Sequence, residues 1–337
     1  MPSGRRTGRS GLSSGLLVYS LAGWLALLLV ALAATVQGQE VEPDHPFRFL
    51  FSTGLFSAVN ENDARAAMKV WAGTLVREGT VRGDPNVTVC GDVGGMVTAL
   101  QSRTVDGAAI LMTEFFALRD HVRFNRYLSG VVEGSILEEY LILVPQESSL
   151  ARIEDLKGHS LNLFQNSRMS LALIWLDTVL LEKGQQRAAS FCSRVTLQSK
   201  LTKAVLPVLF RQADACLVTH NGFKTMGELN PQVSRQLRVL ASSPKVVPAG
   251  FFFRAGYPQA QQDAFVAQLQ QVHRSPAGQQ VLTIFQTDRI EEHPPSVLNN
   301  TLEMLESHRR LCGETNGVQP SLAEPILGQS GNDGAKK

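Results

Sequence analysis

Hydrophobic and polar positions along this chain fall into two alternating kinds of block. Apolar runs of four to six residues recur at 47–52, 86–90, 107–112, 141–144, 160–164, 194–197, 215–219, 237–240 and 250–253. Bounded by turn residues, each predicts a strand. Between them lie stretches with helical spacing. Residues 60–78 put Ala64, Ala67, Met68, Trp71 and Leu75 on one face. Further helices are expected at 94–103, 170–183 and 200–211, and from Pro258, Pro276 and about Ser296 onward. A short helical turn at 153–158 stops at Gly158, and the 170–183 helix stops at Gly184. Strands separated by helices predict an α/β fold whose sheets are mainly parallel and covered on both faces.

The pattern repeats once. Gly95-Met96-Val97-Thr98-Ala99-Leu100 leads to Val105-Asp106-Gly107-Ala108-Ala109 and then to Thr113. Leu201-Thr202-Lys203-Ala204-Val205-Leu206 leads to Ala213-Asp214-Ala215-Cys216 and then to Thr219. Each half reads as a helix, a turn carrying one aspartate, and a buried strand ending near a threonine. Two such halves predict two lobes with a cleft between them.

The first 38 residues break the rhythm. Arg5, Arg6 and Arg9 precede an apolar run from Leu16 to about Val36, and small residues follow. Basic, apolar, then small is the order of a secretory signal, so residues 1–38 are expected to be a cleaved export signal. The run is close to the roughly 20 residues that span a bilayer, so an uncleaved N-terminal anchor is the competing reading. Residues 313–337, rich in Gly, Pro, Ser and Asn, are expected to be a disordered tail.

Export changes the charge. The chain carries 32 basic and 30 acidic residues, and removing 1–38 leaves 29 basic against 30 acidic, a net of −1. A mature protein without basic excess is not built to hold nucleic acid. The four cysteines, at 90, 192, 216 and 312, allow three full disulfide pairings in an oxidising compartment, with buried thiols as the alternative. None stands in C-x-x-C spacing. The mature chain also lacks G-x-S-x-G, H-E-x-x-H, a P-loop and G-x-G-x-x-G. No catalytic residue, metal or cofactor is expected, and the chain reads as a binder rather than an enzyme.

Several landmarks make the sequence resemble a known family. They are the first strand at 47–52, Val105-Asp106-Gly107-Ala108-Ala109, Tyr140-Leu141-Ile142-Leu143-Val144-Pro145, Ile153-Glu154-Asp155-Leu156-Lys157-Gly158, Ala213-Asp214-Ala215 and residues 237–244. Over about 47–290 the chain resembles the phosphate, phosphite and phosphonate periplasmic solute-binding proteins of ABC transporters (PhnD-like). The resemblance implies a two-lobed type II periplasmic-binding fold joined by two hinge crossings, near 138–140 and 236–242. Lobe 1 would comprise 44–139 and 240–312, and lobe 2 would comprise 140–239. It also implies a periplasmic monomer that captures a small oxyanion and docks to an ABC permease in the membrane. The alternative function is a two-lobed periplasmic sensory or assembly protein that recognises a ligand or partner without transport.

In open α/β sheets ligands bind beyond the carboxyl ends of the strands, where helix N-termini favour anions. The strand ends supply Ser52 and Thr53, Thr113 and Glu114, Asn166, Ser167, Arg168 and Ser170, and Thr219 and His220. The segment 165–170 is the leading anion loop, with Arg168 as a charged fork, and by resemblance it is where the family places its hydroxyl-rich loop. The bland reading has Ser167 capping a helix and Arg168 in water. Here the sequence departs from the family. Leu171 replaces the glycine after the second serine, Arg168 and Met169 stand where small hydroxyls are usual, and Gly94 and Gly95 occupy positions where relatives carry an aromatic. These departures count against an aminoalkylphosphonate. Glu114 could meet a ligand amine, Asp214 is expected to brace its turn, and His220 reads more readily as a hydrogen-bonded loop residue than as a ligand group.

Overall fold

The computed structural model describes residues 45–56, 60–78, 83–84 and 86–313. All of them belong to one compact unit that begins at His45. The export signal expected at 1–38 and the tail from 314 onward lie outside the described residues.

Eleven strands form among the described residues: β1 (Phe49–Ser52), β2 (Thr88–Cys90), β3 (Gly107–Leu111), β4 (Phe124–Val131), β5 (Tyr140–Pro145), β6 (Ser160–Phe164), β7 (Arg194–Gln198), β8 (Ala215–Thr219), β9 (Leu237–Ser242), β10 (Ala249–Arg254) and β11 (Arg289–His293). They build a six-stranded sheet in the order β11-β4-β10-β3-β1-β2 and a five-stranded sheet in the order β7-β6-β8-β5-β9. Each sheet is the floor of one lobe.

Both sheets are mixed rather than mainly parallel. In lobe 1, β1 pairs in parallel with β2 and β3, while β10, β4 and β11 add antiparallel contacts. In lobe 2, β6 is parallel to β7 and β8, but β5 and β9 run antiparallel. The physical reason is the path of the chain. It leaves lobe 1 through β4, enters lobe 2 as β5, leaves as β9 and returns as β10. A strand that follows a direct crossing has no intervening helix to reverse the chain, as a parallel connection requires.

The faces of the strands are decided by their period of two. Phe49 and Phe51 of β1 pack with Phe47, Met68, Trp71 and Phe265 in one cluster. This cluster lies under α1 (Glu61–Glu78), α9 (Gln259–Gln271) and α10 (Pro276–Ile284). Leu50, Ala108 and Ile110 face the other side, towards Met96 and Leu100 of α2 (Val93–Gln101) and Phe116 of α3 (Met112–Leu118). In β5, Ile142 and Val144 join that same cluster, whereas Leu141 and Leu143 join a third. The third cluster is roofed by α6 (Leu201–Leu209), α7 (His220–Leu229) and α8 (Pro231–Gln236). Burial on both faces explains why β5 reads as an uninterrupted apolar run.

The second cluster of β5 continues into α4 (Ala172–Glu182), α5 (Ala188–Phe191) and α11 (Asn299–Leu311). The last segment, expected in lobe 1, touches both lobes. Met304 and Leu305 of α11 are buried, and the helix packs on both α4 of lobe 2 and α3 of lobe 1. Arg119–Glu306 (3.0 Å) and Arg309–Asp120 (3.7 Å) ion pairs hold it to the end of α3. Among the described residues, no helix is long and apolar enough to cross a membrane.

The internal duplication has a structural counterpart. Buried Asp106 accepts hydrogen bonds from the backbone N–H (2.9 Å) and guanidinium of Arg48, just before β1. Asp214 accepts from the backbone N–H and the hydroxyl of Ser160, the first residue of β6 (2.7 Å each). In each lobe the aspartate before one parallel strand secures the start of its neighbour, which is the bracing role expected of Asp214. All four cysteines are unbridged. Burial pushes the Cys192 thiol up to about 11 and Cys216 higher still.

Candidate functional site

The two crossings lie side by side. Residues 132–139 carry the chain out of lobe 1 and 243–248 bring it back, one step beyond the 236–242 window expected from sequence, which is occupied by α8's last residue and β9. Glu138 N donates to Val246 O (2.7 Å) and Val246 N to Glu138 O (2.9 Å). Tyr140 N donates to Ser243 Oγ (2.8 Å), and Ser243 N donates to Tyr140 O (2.8 Å). The turns that follow β1 and β6, at the carboxyl ends of one parallel strand from each lobe, are in contact.

The loop after β6 is a 3-10 turn, Ser167–Met169, that precedes α4. Asn166 caps it, its side-chain oxygen accepting from Met169 N (3.0 Å). The Tyr140 hydroxyl donates to Arg168 O (2.9 Å), which fixes the turn to β5. Two contacts reach out of lobe 2. Asn166 Nδ2 donates to Gln286 Oε1 (3.4 Å), and Ser170 Oγ donates to Pro248 O (3.3 Å). The turn packs against β8 and against the Thr53–Phe56 turn that follows β1. The segments that carry the candidates Thr53, Ser167 and Thr219 are thus neighbours, although Thr53 and Ser167 are more than 100 positions apart in sequence.

Arg168 meets an acid of its own chain. Its Nε binds Glu138, an acid of the first crossing that is only 3% exposed. The Arg168 side chain is largely withdrawn from water, at 14% exposure. Burial raises the Glu138 pKa, and the Arg168 charge and hydrogen bond oppose that rise. The loop's positive charge is neutralised within the protein.

Other candidates also serve the fold. Buried Ser52 donates to Glu114 Oε1 (2.5 Å) and accepts from Gly54 N (3.0 Å). Glu114 Oε2 accepts from Leu111 N (2.7 Å) at the start of α3, and burial raises its pKa against both bonds. Thr219 caps α7 by accepting from Gly222 N (3.0 Å). His220, the first residue of α7, is exposed, and its Nδ1 lies 3.4 Å from the Glu139 carboxylate. At α2, Asp92 accepts from Gly95 N (2.6 Å), so a protein carboxylate already occupies that helix start.

Three hydroxyls are left over. Thr113 is 4% exposed, yet its Oγ1 is buried without a partner. In lobe 2 the equivalent Thr219 caps its helix, but in lobe 1 Glu114 has taken over that task. Thr53 and Ser167, both half-buried, make no side-chain hydrogen bond among the described residues. The site offers neutral donors, the backbone of the 167–169 turn and the N-terminus of α4, with the Arg168 guanidinium paired through its Nε to Glu138. Sequence reasoning missed Glu138 and Asp92 as the acids that occupy Arg168 and the α2 terminus. Glu138 is legible in hindsight as an acid set among Ile136, Leu137 and Tyr140.

Two α/β lobes, paired crossings and hydroxyls gathered at the strand ends define a two-lobed periplasmic-type solute-binding protein. The chain belongs to the ABC-transporter phosphonate periplasmic substrate-binding protein family, whose model matches residues 53–297. Solved structures share the fold. XAC2383 from Xanthomonas citri, bound to chloride, superposes with a TM-score of 0.57 at 16% identity, covering 80% of this chain and 99% of the other. PhnD1 from Prochlorococcus marinus, in complex with methylphosphonate, gives 0.52 at 10% identity, covering 80% and 99%. A binding-protein component of an ABC phosphonate transporter from Pseudomonas aeruginosa gives 0.51 at 14% identity, covering 80% and 88%. Compared with curated protein sequences, the chain finds no match.

Proposed function

We propose that this solute-binding protein captures a small tetrahedral oxyanion of the phosphonate class between its lobes and presents it to an ABC permease. The observation that carries the reading is the packing of the Thr53 turn of lobe 1 against the Ser167 turn of lobe 2, each with a hydroxyl that makes no hydrogen bond among the described residues. Hydroxyls and turn amides beside the α4 N-terminus suit an oxyanion, because donors and helix dipole act in the same direction. The methylphosphonate complex of the Prochlorococcus marinus relative supports a ligand of this size. Export through residues 1–38, with the mature protein acting as a monomer outside the cytoplasm, accords with the family and with the near-neutral mature charge.

Calorimetric titration with methylphosphonate, phosphite and phosphate tests the reading. At least one should bind, and Ser167→Ala and Thr53→Ala should each weaken it roughly two- to tenfold, the loss of one neutral hydrogen bond. Binding of none of the three, or unchanged affinity in both variants, would remove this cleft as an oxyanion site.

A further inference from the structure

Glu133 and Gln286 of lobe 1 both hold left-handed backbone, at φ 47° and 51°. Glu133 and Gly134 are the central pair of a tight turn, in which Val132 N donates to Ser135 O (2.8 Å) and Ser135 N to Val132 O (3.0 Å). With both central residues at positive φ, such a turn favours Asn, Asp or Gly at the position Glu133 holds. Gln286 follows the last turn of α10, where glycine is the usual residue. Neither side chain is the one its backbone would select, and strain held at such a place points to a use for it.

Both side chains cross to lobe 2. Glu133 Oε2 accepts from Lys224 Nζ of α7 (3.0 Å), and Gln286 Oε1 accepts from Asn166 Nδ2 of the turn after β6 (3.4 Å). The two residues share one mount. Asp288 Oδ2 accepts from Glu133 N (2.9 Å), while Asp288 N and Thr287 Oγ1 both donate to Val131 O (2.8 and 2.9 Å). The 133 turn is thus fixed to the end of β4 and to the segment that enters β11. On lobe 2, His220 and Lys224 are an i, i+4 pair on α7 and share a face. His220 meets Glu139 (3.4 Å), so that face is laid against acids of the first crossing. At 50% and 47% exposure the Lys224–Glu133 pair adds little to the stability of the fold. A contact made in only one of two lobe arrangements still shifts the balance between them.

We propose that Glu133 and Gln286 form a clasp on Lys224 and Asn166 that biases the lobes toward the arrangement in which they meet. Glu133 and Lys224 are then positioning residues, which set ligand affinity through the placement of the lobes rather than through ligand contact. The clasp rests on the reading of the chain as a two-lobed capture protein.

Small-angle scattering of the ligand-free full chain reads the clasp without reference to any ligand. Lys224→Glu, which sets two carboxylates against each other, should enlarge the radius of gyration. Glu133→Lys combined with Lys224→Glu should return it to the parent value. Glu133→Asn gives the turn a preferred residue and removes the charge. Its urea midpoint should equal or exceed that of the parent, yet its radius should also grow, whereas a purely structural role would leave the radius unchanged. Lys224→Ala should weaken methylphosphonate roughly 1.5- to fivefold, the range of one exposed ion pair, by faster release. Failure of the parent to bind methylphosphonate would count against the oxyanion reading alone, and scattering would still decide the clasp. A parent-like radius in Lys224→Glu and Glu133→Asn, a charge-swapped variant that stays expanded, or an unchanged methylphosphonate affinity in Lys224→Ala would overturn the proposal.

Discussion

Arg168, on the loop that follows β6, is ion-paired with Glu138, on the crossing that precedes β5, and both side chains are largely withdrawn from solvent, at 14% and 3% exposure. The pair ties the loop nearest the cleft to the ribbon about which the lobes would rotate. It gives Arg168 a charged partner within its own chain. Removing one partner of a buried pair leaves the other charge uncompensated, which typically costs about 3–5 kcal/mol. Arg168→Ala should therefore lower stability by about that amount in urea denaturation. The double variant Arg168→Met with Glu138→Gln should recover most of the loss. Ser167→Ala, one residue away, should stay within about 0.5 kcal/mol of the parent. Equal stability of Arg168→Ala and the parent would show that the pair does not form in solution.

His308 sets a pH dependence. It is buried in α11, and burial foremost, with the Arg187 charge second, pushes its pKa down to about 4. The unfolded chain takes up that proton below about 6.5. A depressed folded value means that the contribution is fully present above the unfolded value and is lost as pH falls from about 6.5 through 4. Glu114 and Glu138, both raised by burial, act in the opposite sense and lose stability as pH rises above their unfolded values. The difference between parent and His308→Gln isolates the histidine. Urea midpoints measured from pH 7.5 to pH 4.5 should fall less in His308→Gln than in the parent, and parallel curves would contradict the assignment.

The C-terminal helix should behave as part of the core. Met304 and Leu305 are buried against a cluster that runs through both lobes, and Thr301 Oγ1 accepts from Val247 N of the second crossing (2.8 Å). Met304→Ala and Leu305→Ala should each cost about 2–5 kcal/mol in denaturant unfolding, the usual range for truncating a buried side chain. Losses below about 0.5 kcal/mol in both would mean that α11 is not seated on the lobes.

Gly250 in β10 is fixed by the approach of Tyr127. A Cβ at 250 would lie 2.1 Å from the tyrosine ring and 3.1 Å from Leu128 O. The ring is 1% exposed and its hydroxyl donates to Ala249 O (3.3 Å), so it has little room to retreat. Gly250→Ala should cost about 1–3 kcal/mol, the range for overpacking a core. The pairing of Phe251 with Ala109 and Leu128 should be disturbed with it. An unchanged melting temperature would show that the sheet relaxes more freely than this packing implies.

Hydrophobic periodicity alone was enough to locate nine of the strands, with 160–164 and 215–219 agreeing residue for residue with β6 and β8. Strands buried on both faces need long apolar runs, and such runs are visible in one dimension. β4 and β11 were not visible. β4 is interrupted by Asn125 and Arg126, and β11 reads Arg-Ile-Glu-Glu-His. β11 lies at a sheet edge, where charged side chains face water and discourage further pairing. The repeated aspartates were legible as turn residues from their place between a helix and a strand, whereas their partners, Arg48 and Ser160, lie 58 and 54 positions away.

What the sequence could determine was set by local physics: burial, period, turn chemistry and the order of a signal segment. Tertiary structure decided which charges cancel and which hydroxyls remain. Arg168 is 30 positions from Glu138, and Thr53 is more than 100 from Ser167. Residue type announces that each can donate a hydrogen bond, but only the path of the two crossings fixes what it meets.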